Sequence, residues 1–67
     1  MKITLNGKQD EQFDSPLSVE KMLEALGLNG QSVLVELDEV ALRPREFATT
    51  KVNEGAQVEI IRVAAGG

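Results

Sequence analysis

The residues with the clearest chemical potential are Gly66 and Gly67, the last two of the sequence. They close a run of small residues, 64–67, which extends about 13 Å at ~3.3 Å per residue. Glycine has no Cβ, so such a run fits a narrow channel. The α-carboxylate of Gly67, with a reference pKa of roughly 3.5, is ionised at pH 7. If a second protein holds ATP, this carboxylate can attack the α-phosphate, and the mixed anhydride then accepts a sulfur or nitrogen nucleophile.

The other side chains offer little competing chemistry. The 67 residues include no Cys and no His, which excludes disulfides, structural zinc, thiol redox sites and Ser-His or Cys-His nucleophile pairs. The acidic pairs Asp10-Glu11 and Asp38-Glu39 are each adjacent in sequence. In a strand, such neighbours point to opposite faces and cannot converge on a metal. We therefore expect no metal site, no bound cofactor and no catalysis by the chain alone.

The charge balance narrows the class of partner. Seven basic residues against eleven acidic ones give a net charge of −4, whereas nucleic-acid binding needs clustered positive charge. No apolar run approaches the ~20 residues of a membrane span. The first residues, 1–7, turn polar before a signal peptide's apolar region would be complete. We expect a cytoplasmic protein that binds neither nucleic acid nor membrane.

The first elements that would position the last residues form a hairpin. Residues 2–6 alternate polar and apolar, as a half-buried strand does. Asn6 and Gly7 both tolerate positive φ and predict a two-residue type I′ turn. The return strand is predicted over residues 9–14, at a sheet edge, with Phe13 as its one apolar anchor.

A helix is predicted next. Ser18 is a suitable N-cap, and Gly27 is a suitable C-terminal stop. Between them four apolar residues fall at helical spacing on one face: Val19, Met22, Leu23 and Leu26. The helix is predicted to be about nine residues long, with this stripe in the core.

Three further strands are predicted, at Val33–Leu37, Val40–Leu42 and Gln57–Val63. Between the last two, residues 43–51 are predicted to form a loop with a helical turn near residues 46–48. One helix and one sheet bury their apolar faces most economically by packing together. We therefore predict an α+β fold of the ubiquitin-like β-grasp type, in which a mixed sheet of four to five strands packs on one main helix. The domain is predicted over residues 1–63 and a flexible tail over 64–67.

The alternation within the last strand also predicts a candidate partner-binding patch. If Val58 and Ile60 face the helix, Ile61 and Val63 stand on the open face of the sheet. Leu34 points the same way from the preceding long strand. The candidate patch comprises Leu34, Ile61 and Val63, with Ala64 and Ala65 continuing from it. The alternative is ordinary scattered surface hydrophobics.

Across nearly its whole length the sequence resembles the ThiS family, the sulfur carrier proteins of thiamine biosynthesis. The resemblance lies in residues 1–7, 17–23, 33–37 and 53–67, in their order, and in the final Gly-Gly. Two residues depart from the family pattern. Asp38 stands where the family commonly has Asn, and Ala56 where an Asp often follows the glycine. Turns are predicted at residues 38–39 and from residue 53 to the last strand, so these two departures bear on turn geometry more than on function.

The resemblance implies a mechanism. A ubiquitin-activating-enzyme-like adenylyltransferase (ThiF-like) would bind ATP and Mg²⁺ and adenylate Gly67, with Gly66 as the slender approach. A cysteine desulfurase system would then supply a persulfide sulfur, and the terminus would become a thiocarboxylate. A thiazole synthase (ThiG-like) would receive the sulfur for the thiazole ring of thiamine.

Two alternatives stay open. The small subunit of molybdopterin synthase is a sulfur carrier that also ends in Gly-Gly on a β-grasp. It is usually longer, with a proline before its tail that residues 60–67 lack. A non-carrier interaction module or ubiquitin-like protein tag would use the patch, and a tag would be joined to lysine after the same adenylation step.

Overall fold

The computed structural model describes residues 1–63, and the predicted tail, 64–67, lies outside them. The elements in chain order are β1 (Ile3–Leu5), β2 (Lys8–Asp10), β3 (Leu17–Ser18), α1 (Val19–Ala25), β4 (Val33–Leu37), β5 (Val40–Leu42), a 3₁₀ helix (Pro44–Glu46), β6 (Lys51–Val52) and β7 (Gln57–Arg62). Within residues 1–63 no helix is both long enough and apolar enough to cross a membrane.

Five of the strands form one mixed sheet in the order β2-β1-β7-β4-β5. β7 lies in its centre, parallel to β1 and antiparallel to β4. The first hairpin occupies one edge, where β2 pairs with β1 alone among residues 1–63. One helix on a five-stranded mixed sheet confirms the predicted β-grasp fold, in which the strand that leads to residue 67 is flanked on both sides.

The helix begins as the sequence predicts. The Ser18 hydroxyl oxygen accepts a hydrogen bond from the Lys21 N–H at 3.1 Å, which satisfies one of the free donors of the first turn. Of the apolar stripe, Val19, Met22 and Leu23 are buried. This stripe packs against the inner face of the sheet, where the buried members are Ile3, Val35, Val58 and Ile60.

The helix is seven residues long and ends at Ala25, so the predicted length of nine was too long. Gly27 adopts a φ of 74°, which glycine reaches without strain. The Gly27 N–H donates to the Glu24 carbonyl at 3.0 Å, and the Leu28 N–H donates to the Leu23 carbonyl at 2.8 Å. This pair of bonds is a Schellman motif, which closes the last turn and stops the helix.

The predicted return strand over residues 9–14 was wrong in its bounds, since β2 covers only Lys8–Asp10. An Asp10 carboxylate oxygen accepts from the Gln12 N–H at 3.0 Å, a local turn that draws the chain away from the ladder. Phe13 is nevertheless buried, as the prediction of a single anchor required.

A second small sheet was missed. β3 and β6 pair antiparallel over two residues each, with Leu17 opposite Val52. A two-residue strand has no periodicity to detect. The predicted helical turn at residues 46–48 lies two residues earlier, at Pro44–Glu46, because proline favours the first helical position.

Candidate functional site

The end of β7 is held by β4. Ile61 lies opposite Leu34 in the antiparallel ladder, and Arg62 lies opposite Val33. One residue further, the Val63 N–H donates to the Ser32 carbonyl at 3.0 Å. The chain is therefore hydrogen-bonded to β4 and to the residue before it as far as Val63, the last described residue. The predicted reacting residues, Gly66 and Gly67, lie outside the described residues, as do Ala64 and Ala65.

The described part of the predicted patch stands on the open face of the sheet. Leu34 is 60% exposed and Ile61 is 57% exposed, although each side chain is large and apolar. Side chains directly opposite in an antiparallel pair have Cβ atoms about 4.5–5.5 Å apart, so these two form one apolar surface. Val63 is 46% exposed and directly follows β7, which ends at Arg62, one residue before the predicted end of this strand. Whether this patch docks a partner stays a prediction.

Acidic residues lie directly beside this apolar surface, a feature that the sequence patterns did not predict. Glu36 is opposite Glu59 in the same ladder, two positions from Leu34 and Ile61. Like charges directly opposite one another repel. Both line an open groove of about 450 Å³ together with Thr4, Gly7, Glu39, Gln57, Val58 and Ile61. Alternation could have placed each glutamate on this face, but only the register brings them together.

No basic side chain within residues 1–63 forms an ion pair with the glutamates of this groove. Within residues 1–63 the ion pair present joins Lys21 to Glu24 on the helix, at 3.6 Å. The described residues also bury no polar or charged side chain and contain no group of three potential metal ligands. Among the described residues, Glu36, Glu39 and Glu59 therefore line the groove without an ion-pair partner.

Two residues in the turns that follow β1 and β4 accept hydrogen bonds from the backbone of β7. Asn6 and Asp38 each begin a two-residue turn with positive φ, 50° and 49°. The Asn6 side-chain oxygen accepts from the Ile60 N–H at 2.7 Å. The Asp38 carboxylate accepts from the Gln57 N–H at 2.9 Å. Aspartate at position 38 thus keeps the acceptor oxygen that an asparagine would offer, and its turn is intact.

Comparison with known proteins decides the family. The sequence matches the model of the ThiS family over residues 2–67. The chain belongs to the ThiS family. The structure resembles the crystal structure of the thiamine biosynthesis protein ThiS from Geobacter metallireducens, with a TM-score of 0.85 and 33% identity over 100% of both chains. The solution structure of a thiamine biosynthesis protein from the same organism matches with a TM-score of 0.83 and 33% identity, over 100% of this chain and 88% of that one.

Two proteins are similar to this chain in sequence over nearly its whole length. A thiazole synthase of Paramagnetospirillum magneticum is 31% identical over 100% of this chain, which spans 20% of that protein's length. The protein ycf40 of Porphyra purpurea is 34% identical over 97% of this chain and 90% of its own length. The family match and the ThiS-like structure support a sulfur carrier in thiamine biosynthesis.

Proposed function

We propose that this chain is a sulfur carrier whose Gly67 carboxylate is activated by adenylation and converted to a thiocarboxylate. The observation that carries the proposal is the ThiS-family match, which runs from residue 2 through Gly67 and therefore includes both final glycines. The described domain supports it as well, because β7 delivers the chain to Val63 beside an exposed patch that a partner can hold.

The proposed chemistry takes place at the partner's site. A carboxylate oxygen of Gly67 attacks the α-phosphorus of ATP, and pyrophosphate leaves. A persulfide sulfur then attacks the acyl carbon, and AMP leaves. A thiol cleaves the resulting acyl disulfide, so that one sulfur stays on the chain as the thiocarboxylate and the other leaves in a disulfide. ATP and Mg²⁺ belong to a ThiF-like adenylyltransferase, and the chain is a cytoplasmic substrate rather than an enzyme.

The docking of this partner is proposed at the patch of Leu34, Ile61 and Val63. The patch adjoins the groove that Glu36 and Glu59 line, so the partner surface would combine an apolar area with basic side chains. Association of opposite charge gives specificity and a faster encounter. This surface also lies at the end of β7, next to Val63, the last described residue before the proposed reacting end.

The receiver of the sulfur is proposed to be a thiazole synthase. In the Paramagnetospirillum magneticum protein of that name, a segment similar to this chain makes up a fifth of the length. The presence of a similar segment within a thiazole synthase is consistent with a carrier that hands its sulfur directly to such an enzyme.

Intact-mass analysis tests the proposed activation. Incubation with a ThiF-like adenylyltransferase, ATP, Mg²⁺ and a persulfide donor is expected to replace one oxygen of Gly67 by sulfur. The matched control is the same chain extended by one residue beyond Gly67, which should gain no sulfur because the reacting carboxylate has moved. Equal sulfuration of the extended chain would contradict the proposal, and attachment to a lysine amine instead would support the protein-tag alternative.

A further inference from the structure

β7 is the strand that leads to the proposed reacting end, and it has different support on its two sides. On one side β4 pairs with it as far as Arg62, opposite Val33. On the other side β1 pairs with it only over Thr4–Gln57 and Leu5–Val58. Because β1 turns away after Leu5, the second half of β7 would lack a partner there without an additional contact.

The Asn6 side chain supplies that contact. In a parallel ladder the hydrogen bonds are evenly spaced, and each strand residue donates on one side of its partner and accepts on the other. The Thr4 N–H donates to Ala56 at 2.9 Å, and the Asn6 N–H donates to Val58 at 2.8 Å. The next bond of the series would join the Ile60 N–H to the Asn6 backbone carbonyl. Instead the Asn6 side-chain oxygen accepts it, at 2.7 Å.

Replacement of the backbone carbonyl by a side-chain oxygen depends on two properties of residue 6. Its φ of 50° starts the turn, so its backbone leaves the ladder direction. Glycine would adopt this φ more easily, but it has no acceptor oxygen. Asparagine and aspartate alone combine tolerance of this conformation with a short side chain that can replace a backbone carbonyl. The turn explains why residue 6 must tolerate a positive φ, and the bond to Ile60 explains why its side chain must carry an acceptor oxygen.

We propose that Asn6 is a positioning residue for the activation of the chain, since it fixes the end of β7 through the Ile60 N–H. The inference rests on the proposed function, because it concerns how residues 64–67 are aimed at the partner's nucleotide. Within residues 1–63 this is the last hydrogen bond that β7 receives from the β1 side. Beyond it, the pairing with β4 alone aligns the strand.

Asp38 provides a matched control within the same strand. It also begins a turn at positive φ, and its side-chain oxygen also accepts from a β7 N–H, that of Gln57. Gln57 is the first residue of β7, whereas Ile60 is two residues from its end. Loss of either oxygen therefore removes a similar bond, but only the loss at Asn6 releases the end that leads to residue 67.

The experiment compares N6G, N6D and D38G with the wild type. Amide exchange of Ile60 is measured first, since it reports the bond without reference to function. Exchange should accelerate selectively in N6G and stay slow in N6D and D38G. The rate of adenylation is then measured against carrier concentration, with a ThiF-like adenylyltransferase, ATP and Mg²⁺.

Misalignment and unfolding have different kinetic consequences. Partial unfolding lowers the concentration of competent carrier and raises KM, but it leaves kcat at saturation unchanged. A misdirected end lowers kcat, and we expect N6G to lose roughly tenfold, within the ~10²-fold that a 1 Å misplacement can cost. KM should change little, because Leu34 and Ile61 stay paired. N6D should restore kcat, and D38G should retain the wild-type kcat.

Two results would overturn the inference: a wild-type kcat for N6G, or an equal loss of kcat in N6G and D38G. Unchanged exchange of the Ile60 amide in N6G would also overturn it. If the wild-type chain is not adenylated at all, the proposed function fails instead, and the Ile60 exchange still decides whether Asn6 holds the strand.

Discussion

At the scale of single residues, the backbone of Glu39 is strained. It adopts a φ of 69° in the turn between β4 and β5, although it has a Cβ. The left-handed conformation costs an ordinary residue about 1–2 kcal/mol. Asp38, its neighbour in the turn, recovers part of this cost through the bond to Gln57, but no described hydrogen bond does so for the Glu39 side chain. Glu39 instead contributes a third carboxylate to the acidic groove.

Glu39→Gly should therefore stabilise the fold. The gain is the relief of about 1–2 kcal/mol of strain, less the ~0.5–1 kcal/mol that glycine loses in chain entropy, so the free energy of unfolding should rise by about 0.5–1 kcal/mol. Urea unfolding measures this change. Asp38→Gly is the control, because it relieves similar strain but loses the bond to Gln57, and it should give no gain. A lower stability of Glu39→Gly than of the wild type would contradict the strain argument.

At the scale of elements, the two faces of the sheet differ in what covers them. The helix covers the inner face, where Val58 is 1% exposed. The outer face presents Leu34 and Ile61 side by side, with Glu36 and Glu59 next along the same two strands. Leu34 and Ile61 therefore lie next to each other on the exposed face, and their role in docking a partner stays a prediction.

Ile61→Asp should weaken the docking of the proposed activating enzyme without unfolding the chain, because Ile61 is already 57% exposed. Burying an isoleucine is worth about 1.5–3 kcal/mol, so KM for adenylation should rise roughly tenfold or more. Val40→Asp is the matched control, since Val40 is 61% exposed but lies on the edge strand β5, away from the patch. Equal KM values for the two variants would remove the patch as a docking surface.

Whether the sequence predicts a structural feature depends on how far apart in the chain the interacting residues lie. Local signals were sufficient for the Asn6-Gly7 turn, the Ser18 cap and the Gly27 stop, because each acts within a few residues. The bond from Ile60 to Asn6 spans 54 positions, and no local pattern announces it. The facing of Glu36 and Glu59 likewise depends on register, which arises only when β4 and β7 pair.

At the scale of the whole molecule, charge and topology act together. The net charge of −4 is distributed so that three glutamates line one groove on the open face. The fold brings the same face and the end of β7 to one side of the molecule, since Ile61 belongs to both. A partner attracted by the charge would therefore meet the apolar patch and the approach to residue 67 together.

This arrangement predicts that the rate of the proposed adenylation depends on salt concentration. Exposed charges are screened beyond about 10 Å at 0.1 M salt and about 3 Å at 1 M. If the partner surface is basic, kcat/KM should fall as salt rises, because electrostatic steering accelerates encounter. Glu59→Gln should flatten this dependence. Glu20→Gln removes the same charge from the helix, on the other side of the sheet, and should leave the slope nearly unchanged. Equal slopes for the two variants would show that net charge, rather than the acidic groove, guides the encounter.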